Sequence, residues 1–340
     1  MSKLLIVEDS DITRNEVKII AIESGLFDEV ITAKNGEEGI KQVIKGKPDA
    51  CILDLEMPRM GGFTFLKWLM ANRPIPALVF SSLNTDENIM KALEIGAVDF
   101  LGKTENYITS SFKKKLIEKL AILKHSSPSP LTLSEKTNKK ENTKTIHKQN
   151  SKYKIIILGA STGGPTAIQK ILKDIDGKIS LPVIVCQHMP KNFTLLFAQR
   201  LNNLLKHYQV KEARNGDTIE NGKIFVCPGE FHLLLNGKNI KLIPSKASDL
   251  YSPSIDTTFE SAAAFFRDTL LGIILTGMGK DGFQGAKKIK ESGGTIIAQS
   301  PESCVVYGMP KEIVKNNLHD YQLSIEKIGE KIVELCTEKN

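Results

Sequence analysis

Tyr153-Lys154-Ile155-Ile156-Ile157-Leu158-Gly159-Ala160-Ser161-Thr162-Gly163-Gly164 is an apolar run that stops at a glycine turn, with helical periodicity from about residue 165. Such a run reads as a strand buried on both faces, the kind found in parallel sheets. The turn keeps the spacing G-x-S-x-G, which holds a serine hydroxyl out on a tight strand-to-helix corner. Glycine is needed there because a β-carbon would collide with neighbouring backbone or forbid the turn's dihedral angles. The following helix aims free N–H groups back at Ser161, favouring developing negative charge. On this stretch alone a plain glycine turn remains open. So does a dinucleotide turn, since Gly159 and Gly164 fit the ends of G-x-G-x-x-G. Against the latter, Ser161 takes the middle glycine's place, and the next strand ends in Cys186-Gln187-His188 rather than in a ribose-binding acid.

A nucleophilic serine needs a base, and the base needs an orienting acid. Val183–Gln187 reads as the next buried strand, and His188 follows it, where adjacent parallel strands would bring its imidazole near Ser161. His125 and His147 fall in a polar segment, His207 and His319 near helix ends, and His232 among short strands. For the acid, Asp281 lies on the glycine-rich stretch Leu275-Thr276-Gly277-Met278-Gly279-Lys280-Asp281-Gly282, after the buried strand Leu271–Thr276; Asp256, opening a helix, is the alternative. An α/β-hydrolase would run Ser, acid, His; the order Ser161, His188, Asp281 excludes that fold and asks for another α/β scaffold. Lys223–Val226, Phe231–Leu235 and Ile240–Ile243 read as an inserted antiparallel meander, with a hairpin turn at Asn236-Gly237.

Upstream, HSSPSPLTLSEKTNKKENTKTIHKQNSK (125–152) holds too little apolar surface to offset the entropy of ordering it. It separates a unit at 1–124 from one at 153–340. It also carries six lysines against two glutamates, four of the seven net positive charges. A solvated basic spacer explains the charge, and no nucleic-acid partner is expected. At 41% hydrophobic and 25% charged residues the chain is neither disordered throughout nor collagen-like. It has no apolar stretch of about 18 residues, so no membrane insertion is expected. Acidic residues at Glu8 and Asp9 come too early for a signal peptide. Five widely spaced cysteines form no C-x-x-C pair, which points to a reducing cytoplasm.

In the first unit, Lys3–Val7, Glu29–Thr32, Ala50–Leu53, Ala77–Ser81 and Val98–Leu101 read as strands. They alternate with amphipathic stretches near 13–24, 36–46, 62–72, 85–94 and 110–123. Five β-α repeats imply a doubly wound parallel sheet whose crevice lies at the strands' carboxyl ends. There Glu8 and Asp9 follow strand one, Asp54 follows strand three, Ser81 ends strand four and Lys103 follows strand five. Three converging carboxylates suit a hard cation such as Mg²⁺. With a lysine and a serine they suit phosphoryl transfer to Asp54.

Val7-Glu8-Asp9-Ser10, Asp54-Leu55-Glu56-Met57-Pro58 with Gly61-Gly62, Phe80-Ser81-Ser82 and Phe100-Leu101-Gly102-Lys103 make residues 1–124 resemble a response-regulator receiver domain, a flavodoxin-like (βα)5 fold. The resemblance implies Asp54 as phosphoacceptor; Asp9, Glu8, Asp54 and the Glu56 carbonyl as Mg²⁺ ligands; Ser81 and Lys103 as phosphoryl contacts; and Phe100 as switch aromatic. Thr104 departs from the proline usual after that lysine. Gly159–Gly164, Gln187-His188-Met189-Pro190, Pro253-Ser254-Ile255-Asp256 and Thr276–Gly282, in this order, resemble the chemotaxis protein-glutamate methylesterases. That resemblance implies a triad of Ser161, His188 and Asp281, with Thr162 and Met278 lining the site and the Met278 main-chain N–H as oxyanion donor. It further implies hydrolysis of glutamate γ-methyl esters on methyl-accepting chemoreceptors, deamidation of receptor glutamines, a chemotaxis histidine kinase as phosphodonor, and an unmodified receiver that covers the esterase cleft. The esterase step itself calls for no cofactor. A response regulator with a non-catalytic binding output domain is the alternative.

Overall fold

The computed structural model describes residues 1–82, 86–103, 109–128 and 151–337. The chain divides into two compact units, Met1–Thr137 and Asn138–Asn340. Most of the expected spacer (129–150) and Thr104 lie outside the described residues.

The first unit runs β1 (Lys3–Val7), α1 (Asp11–Glu23), β2 (Glu29–Ala33), α2 (Gly36–Gly46), β3 (Ala50–Leu53), α3 (Gly62–Asn72), β4 (Ala77–Ser82), α4 (Asp86–Ile95), β5 (Asp99–Lys103) and α5 (Ser110–His125). Polar side chains cap α1, α2 and α5: Ser10 accepts from the Thr13 N–H, Asn35 from Glu38 and Thr109 from Phe112. The strands pair in the order β2-β1-β3-β4-β5, all parallel. The direction of winding reverses beside β1, so the loops after β1 and β3 open a crevice at the sheet's carboxyl edge. Lys103 does not follow the fifth strand, as the sequence suggested, but ends it: Gly102 and Lys103 pair with Ser81 and Ser82. Backbone pairing thus carries the strand past its last apolar residue, Leu101.

The second unit runs β6 (Ile155–Ala160), α6 (Gly164–Ile175), β7 (Val183–Gln187), α7 (Phe193–Leu204), β8 (Gln209–Glu212), β9 (Lys223–Val226), β10 (Phe231–Asn236), β11 (Asn239–Pro244), α8 (Ile255–Phe266), β12 (Leu270–Ile274), α9 (Phe283–Glu291), β13 (Thr295–Gln299), α10 (Met309–Lys315), β14 (Tyr321–Leu323) and α11 (Ile325–Thr337). Seven parallel strands form its sheet in the order β14-β13-β12-β6-β7-β9-β8. Ile155–Ala160, Val183–Gln187 and Leu270–Ile274 are buried at every position, as central parallel strands require.

Among the strands of the described residues, β10 and β11 alone pair antiparallel. Lys223–Val226, expected in the meander, instead lies parallel between β7 and β8. Its Ile224, Phe225 and Val226 are all buried, whereas β11 alternates toward solvent; that difference separates an interior strand from a hairpin arm. The hairpin closes one residue later than expected. Asn236 pairs with Asn239, leaving Gly237 and Lys238 as the turn, with Gly237 supplying the positive φ of 64°. No helix among the described residues is long and apolar enough to cross a membrane.

Candidate active site

In the second unit β6 lies between β7 and β12, and the residues of interest follow the ends of these three neighbours. Ala160 pairs with Gln187, so Ser161 and His188 come next on adjacent strands, about 4.8 Å apart in backbone spacing. Main-chain bonds extend the ladder through both: the His188 N–H donates to Ala160 O at 3.0 Å, and the Ser161 N–H to Thr276 O at 3.0 Å. Gly163, with φ of 77°, then turns the chain into α6.

His188 Nε2 meets Asp281 Oδ2 at 2.7 Å. Asp281 is buried, and its carboxylate sits at the start of α8. It accepts from the N–H groups of Ile255 (2.7 Å), Asp256 (2.9 Å) and Gly282 (3.0 Å), and from Ser254 Oγ (3.3 Å). Burial would raise its pKa, but the bond and charge of His188 and the Ile255 and Asp256 amides outweigh it and hold the pKa below the usual aspartate value. Asp281 is therefore held ionised beside His188. Asp256, the alternative acid, turns instead to the Gly285 N–H at 2.7 Å. Burial, helped by the charges of Asp281 and Glu260 against that amide, pushes it up to about 6.

The Ser161 hydroxyl makes no hydrogen bond among the described residues, so of the three expected triad residues only His188 and Asp281 are joined. Thr162 is buried, and its carbonyl accepts from Thr276 Oγ1 at 3.0 Å. Met278 lies on the Asp281 loop with its side chain 45% exposed.

Several side chains to which the sequence reading gave no role brace this edge. Gln187 Nε2 donates to the carbonyls of Ser161 (2.9 Å) and His188 (3.0 Å), tying the two turns together. Gln299 Oε1 accepts from the Thr276 N–H at 2.8 Å, and the Thr276 hydroxyl in turn accepts from Val306 N–H. The Tyr251 ring stacks on the imidazole of His188. Ser254, preceding α8 and accepting from Thr257 N–H, had a readable capping signal; Gln187 stood in the motif Gln187-His188-Met189-Pro190 without a role of its own, and Tyr251 had no signal.

In the first unit the crevice gathers Glu8, Asp9 and Asp54, with one carboxylate oxygen from each lying within 4.8 Å of the others. Glu8 and Asp54 are buried, Asp9 is exposed. Lys103 Nζ reaches Asp54 Oδ2 at 2.8 Å and Glu8 Oε2 at 2.9 Å. Burial, then the charge of Asp54, pushes Glu8 up to about 7 against the pull of Lys103. Burial likewise raises Asp54, opposed by Lys103 and the Glu56 N–H and assisted by the charge of Asp9. Burial would lower Lys103, but its two carboxylate partners hold it above the ordinary lysine value. The Glu56 N–H donates to Asp54 Oδ1 at 3.1 Å. Ser81 is buried at the end of β4, and Phe100 is half-buried on β5. Arg14 clasps the acidic loop by its Glu8 and Asp9 carbonyls, at 2.7 and 3.2 Å, a role the sequence did not reveal.

The donor set fits a hard cation such as Mg²⁺. All its ligand atoms are oxygens, and Glu8 Oε2, although ion-paired, accepts no hydrogen bond and keeps a lone pair to offer.

Both units match known proteins. Residues 156–332 match the CheB methylesterase family, and residues 4–109 the response regulator receiver domain. A protein-glutamate methylesterase/protein-glutamine glutaminase of Thermotoga maritima is 36% identical over 343 residues, covering 98% of each chain. One of Archaeoglobus fulgidus is 37% identical over 322 residues, 92% of each. The crystal structure of the T. maritima CheB methylesterase catalytic domain aligns with 54% of this chain and 98% of its own, with a TM-score of 0.51 and 40% identity. A serine turn, a paired histidine and aspartate, and an acidic receiver crevice, in one order along one chain, thus make this protein a member of the protein-glutamate methylesterase/protein-glutamine glutaminase family of response regulators.

Proposed function

We propose that this protein removes methyl groups from glutamate γ-methyl esters of methyl-accepting chemoreceptors, releasing methanol, and that phosphorylation of Asp54 by a chemotaxis histidine kinase raises this activity. The 2.7 Å contact between His188 and Asp281 beside the Ser161 turn carries the reading. With Nε2 bound to Asp281, Nδ1 is the nitrogen that handles the serine proton. His188 takes that proton as Ser161 Oγ bonds to the ester carbonyl carbon and the carbonyl electron pair moves onto oxygen. Main-chain N–H groups, Met278's among them, hold the oxyanion; losing one such donor typically costs about 2.7–4 kcal/mol. The C–O bond to the methoxy group then breaks, and methanol leaves with the proton from His188. Water, deprotonated by the same imidazole, clears the acyl-enzyme to yield glutamate and free Ser161. With a receptor glutamine, ammonia leaves in place of methanol. Thr162 lines the approach.

In the receiver, Asp54 is the group that takes the phosphoryl, with Ser81 and Lys103 beside it and Phe100 as the aromatic that responds. Glu8, Asp9, Asp54 and the Glu56 carbonyl would hold Mg²⁺, which offsets charge on the phosphoryl oxygens when bound. A cytoplasmic location is supported by five buried, unpaired cysteines. The deciding assay is methanol release from methylated chemoreceptor membranes with and without acetyl phosphate. Ser161→Ala abolishes release in both conditions; near-normal release from that variant overturns the proposal.

A further inference from the structure

We propose that Tyr251 is a positioning residue for hydrolysis: its ring holds the His188 imidazole in the orientation that keeps Nε2 on Asp281 and stabilises the cation formed when His188 takes the serine proton. This rests on the hydrolase reading above. The two rings are stacked, with centroids 5.1 Å apart and planes inclined by 13°. One face of the base is therefore covered by an aromatic face, which packs on the neutral ring and, through its negative quadrupole, attracts the cation more strongly.

Tyr251 is itself held from two sides. A β-carbon at Gly279 would stand 2.5 Å from the phenol oxygen, so the loop that carries Asp281 packs its bare backbone on Tyr251. The Lys280 N–H points to the same oxygen at 3.4 Å. The phenol thus touches the base and, through the main chain, the loop of its acid. From below, His232 grips both ends of the segment bearing Tyr251. Its Nε2 lies 2.8 Å from Asp249 Oδ2, and its Nδ1 accepts the Ser254 N–H at 3.1 Å. Asp249 also takes the Lys246 N–H at 2.7 Å, and Ser254 Oγ donates to Asp281 at 3.3 Å. The segment is built, and the histidine stack is what it presents.

Because the imidazolium exists only as the reaction proceeds, the ring acts on kcat and not on KM. The test uses the full chain with Mg²⁺, acetyl phosphate and methyl-labelled chemoreceptor membranes, comparing Tyr251→Ala, Tyr251→Leu and Tyr251→Phe. Proton NMR follows the downfield resonance of the His188 Nε2–H on Asp281. Tyr251→Ala and Tyr251→Leu are expected to lose roughly 3- to 30-fold in kcat at unchanged KM. Both broaden the resonance, and Tyr251→Phe rescues both readouts. Leucine keeps the volume, so a folding defect in the alanine variant does not decide the matter. A leucine variant with the kcat and resonance of the wild type overturns the proposal, as does a loss confined to KM. The NMR readout needs no turnover, so a wild-type chain without Ser161-dependent methanol release sinks the hydrolase reading while the stack is still judged.

Discussion

Gly277 leaves no room between itself and Ser161: a β-carbon at 277 would stand 2.7 Å from Ser161 Cβ, 3.1 Å from its main-chain nitrogen and 2.5 Å from Met309 Sδ. The Gly277 carbonyl is also fixed, accepting the Gly308 and Met309 N–H groups at 3.1 and 2.8 Å. Gly277→Ala therefore pushes the serine turn rather than its own loop. We expect kcat/KM for methanol release to fall at least about tenfold, with a stability loss of about 1–3 kcal/mol. Kinetics and thermal melts of the same sample check this; wild-type kcat/KM would show that the close approach does not position the nucleophile.

Asp281→Asn should be the most severe conservative change in the second unit. The carboxylate accepts from three main-chain amides, Ser254 Oγ and His188, whereas a carboxamide must turn an NH₂ toward one of these donors. The wrong imidazole tautomer lowers kcat on the order of 10³- to 10⁴-fold, and the unsatisfied donor costs about 1–3 kcal/mol. Retention of more than a tenth of the activity would remove Asp281 from the triad.

Substitutions in the receiver separate phosphorylation from hydrolysis. Asp54→Asn should take no label from acetyl phosphate and lose its stimulation of methanol release, while unstimulated release persists. Lys103→Ala leaves two buried carboxylates without their cation. It should destabilise the receiver by about 2–3 kcal/mol, short of the full cost of a stranded charge because Glu8 takes up a proton. Urea unfolding and phosphoryl labelling check both; labelling of Asp54→Asn at the wild-type level would move the phosphoacceptor elsewhere.

Asp256 makes the second unit's stability depend on pH in a defined direction. Its pKa is pushed up to about 6 from 3.8, first by burial. Between those values the folded chain binds the proton more tightly than the unfolded one. Its contribution is thus fully present below about 3.8 and lost as pH rises through about 6. Asp256→Asn keeps an oxygen for the Gly285 N–H and removes the charge. We expect Tm about 2 °C above wild type near pH 7.5, a small gain because the group is partly solvated, and no gain near pH 4. Equal Tm differences at both pH values would contradict this.

Much of this architecture was legible where an apolar run met a turn signal. β1, β3, β7, α2 and α3 begin and end where expected because glycine, aspartate or a polar cap interrupts the pattern there. Lys223–Val226 was misassigned because a short apolar strand reads alike in a hairpin and inside a parallel sheet; pairing with β7, distant in sequence, decided it. The choice between Asp256 and Asp281 was open for a similar reason. Asp281 lies on a glycine-rich turn and Asp256 in the first turn of a helix, and only folding shows that the former meets His188 and the latter a glycine amide. The bonds from Gln187 to Ser161, from Thr276 to Gln299 and to Thr162, and the stacking of Tyr251 on His188 link residues 23 or more positions apart, and no local period encodes such contacts.

The placement of β6 between β7 and β12 has a consequence for biosynthesis. By the time β7 has left the ribosome, Ser161 and His188 can already be neighbours, but β12 has yet to be translated and must then slot in on the opposite flank of β6. Late, long-range pairing of this kind is among the slower steps of folding. On the proposed reading, the emerging polypeptide therefore carries a safety catch: Asp281 cannot join Ser161 and His188 until β12 and the loop after it have been made.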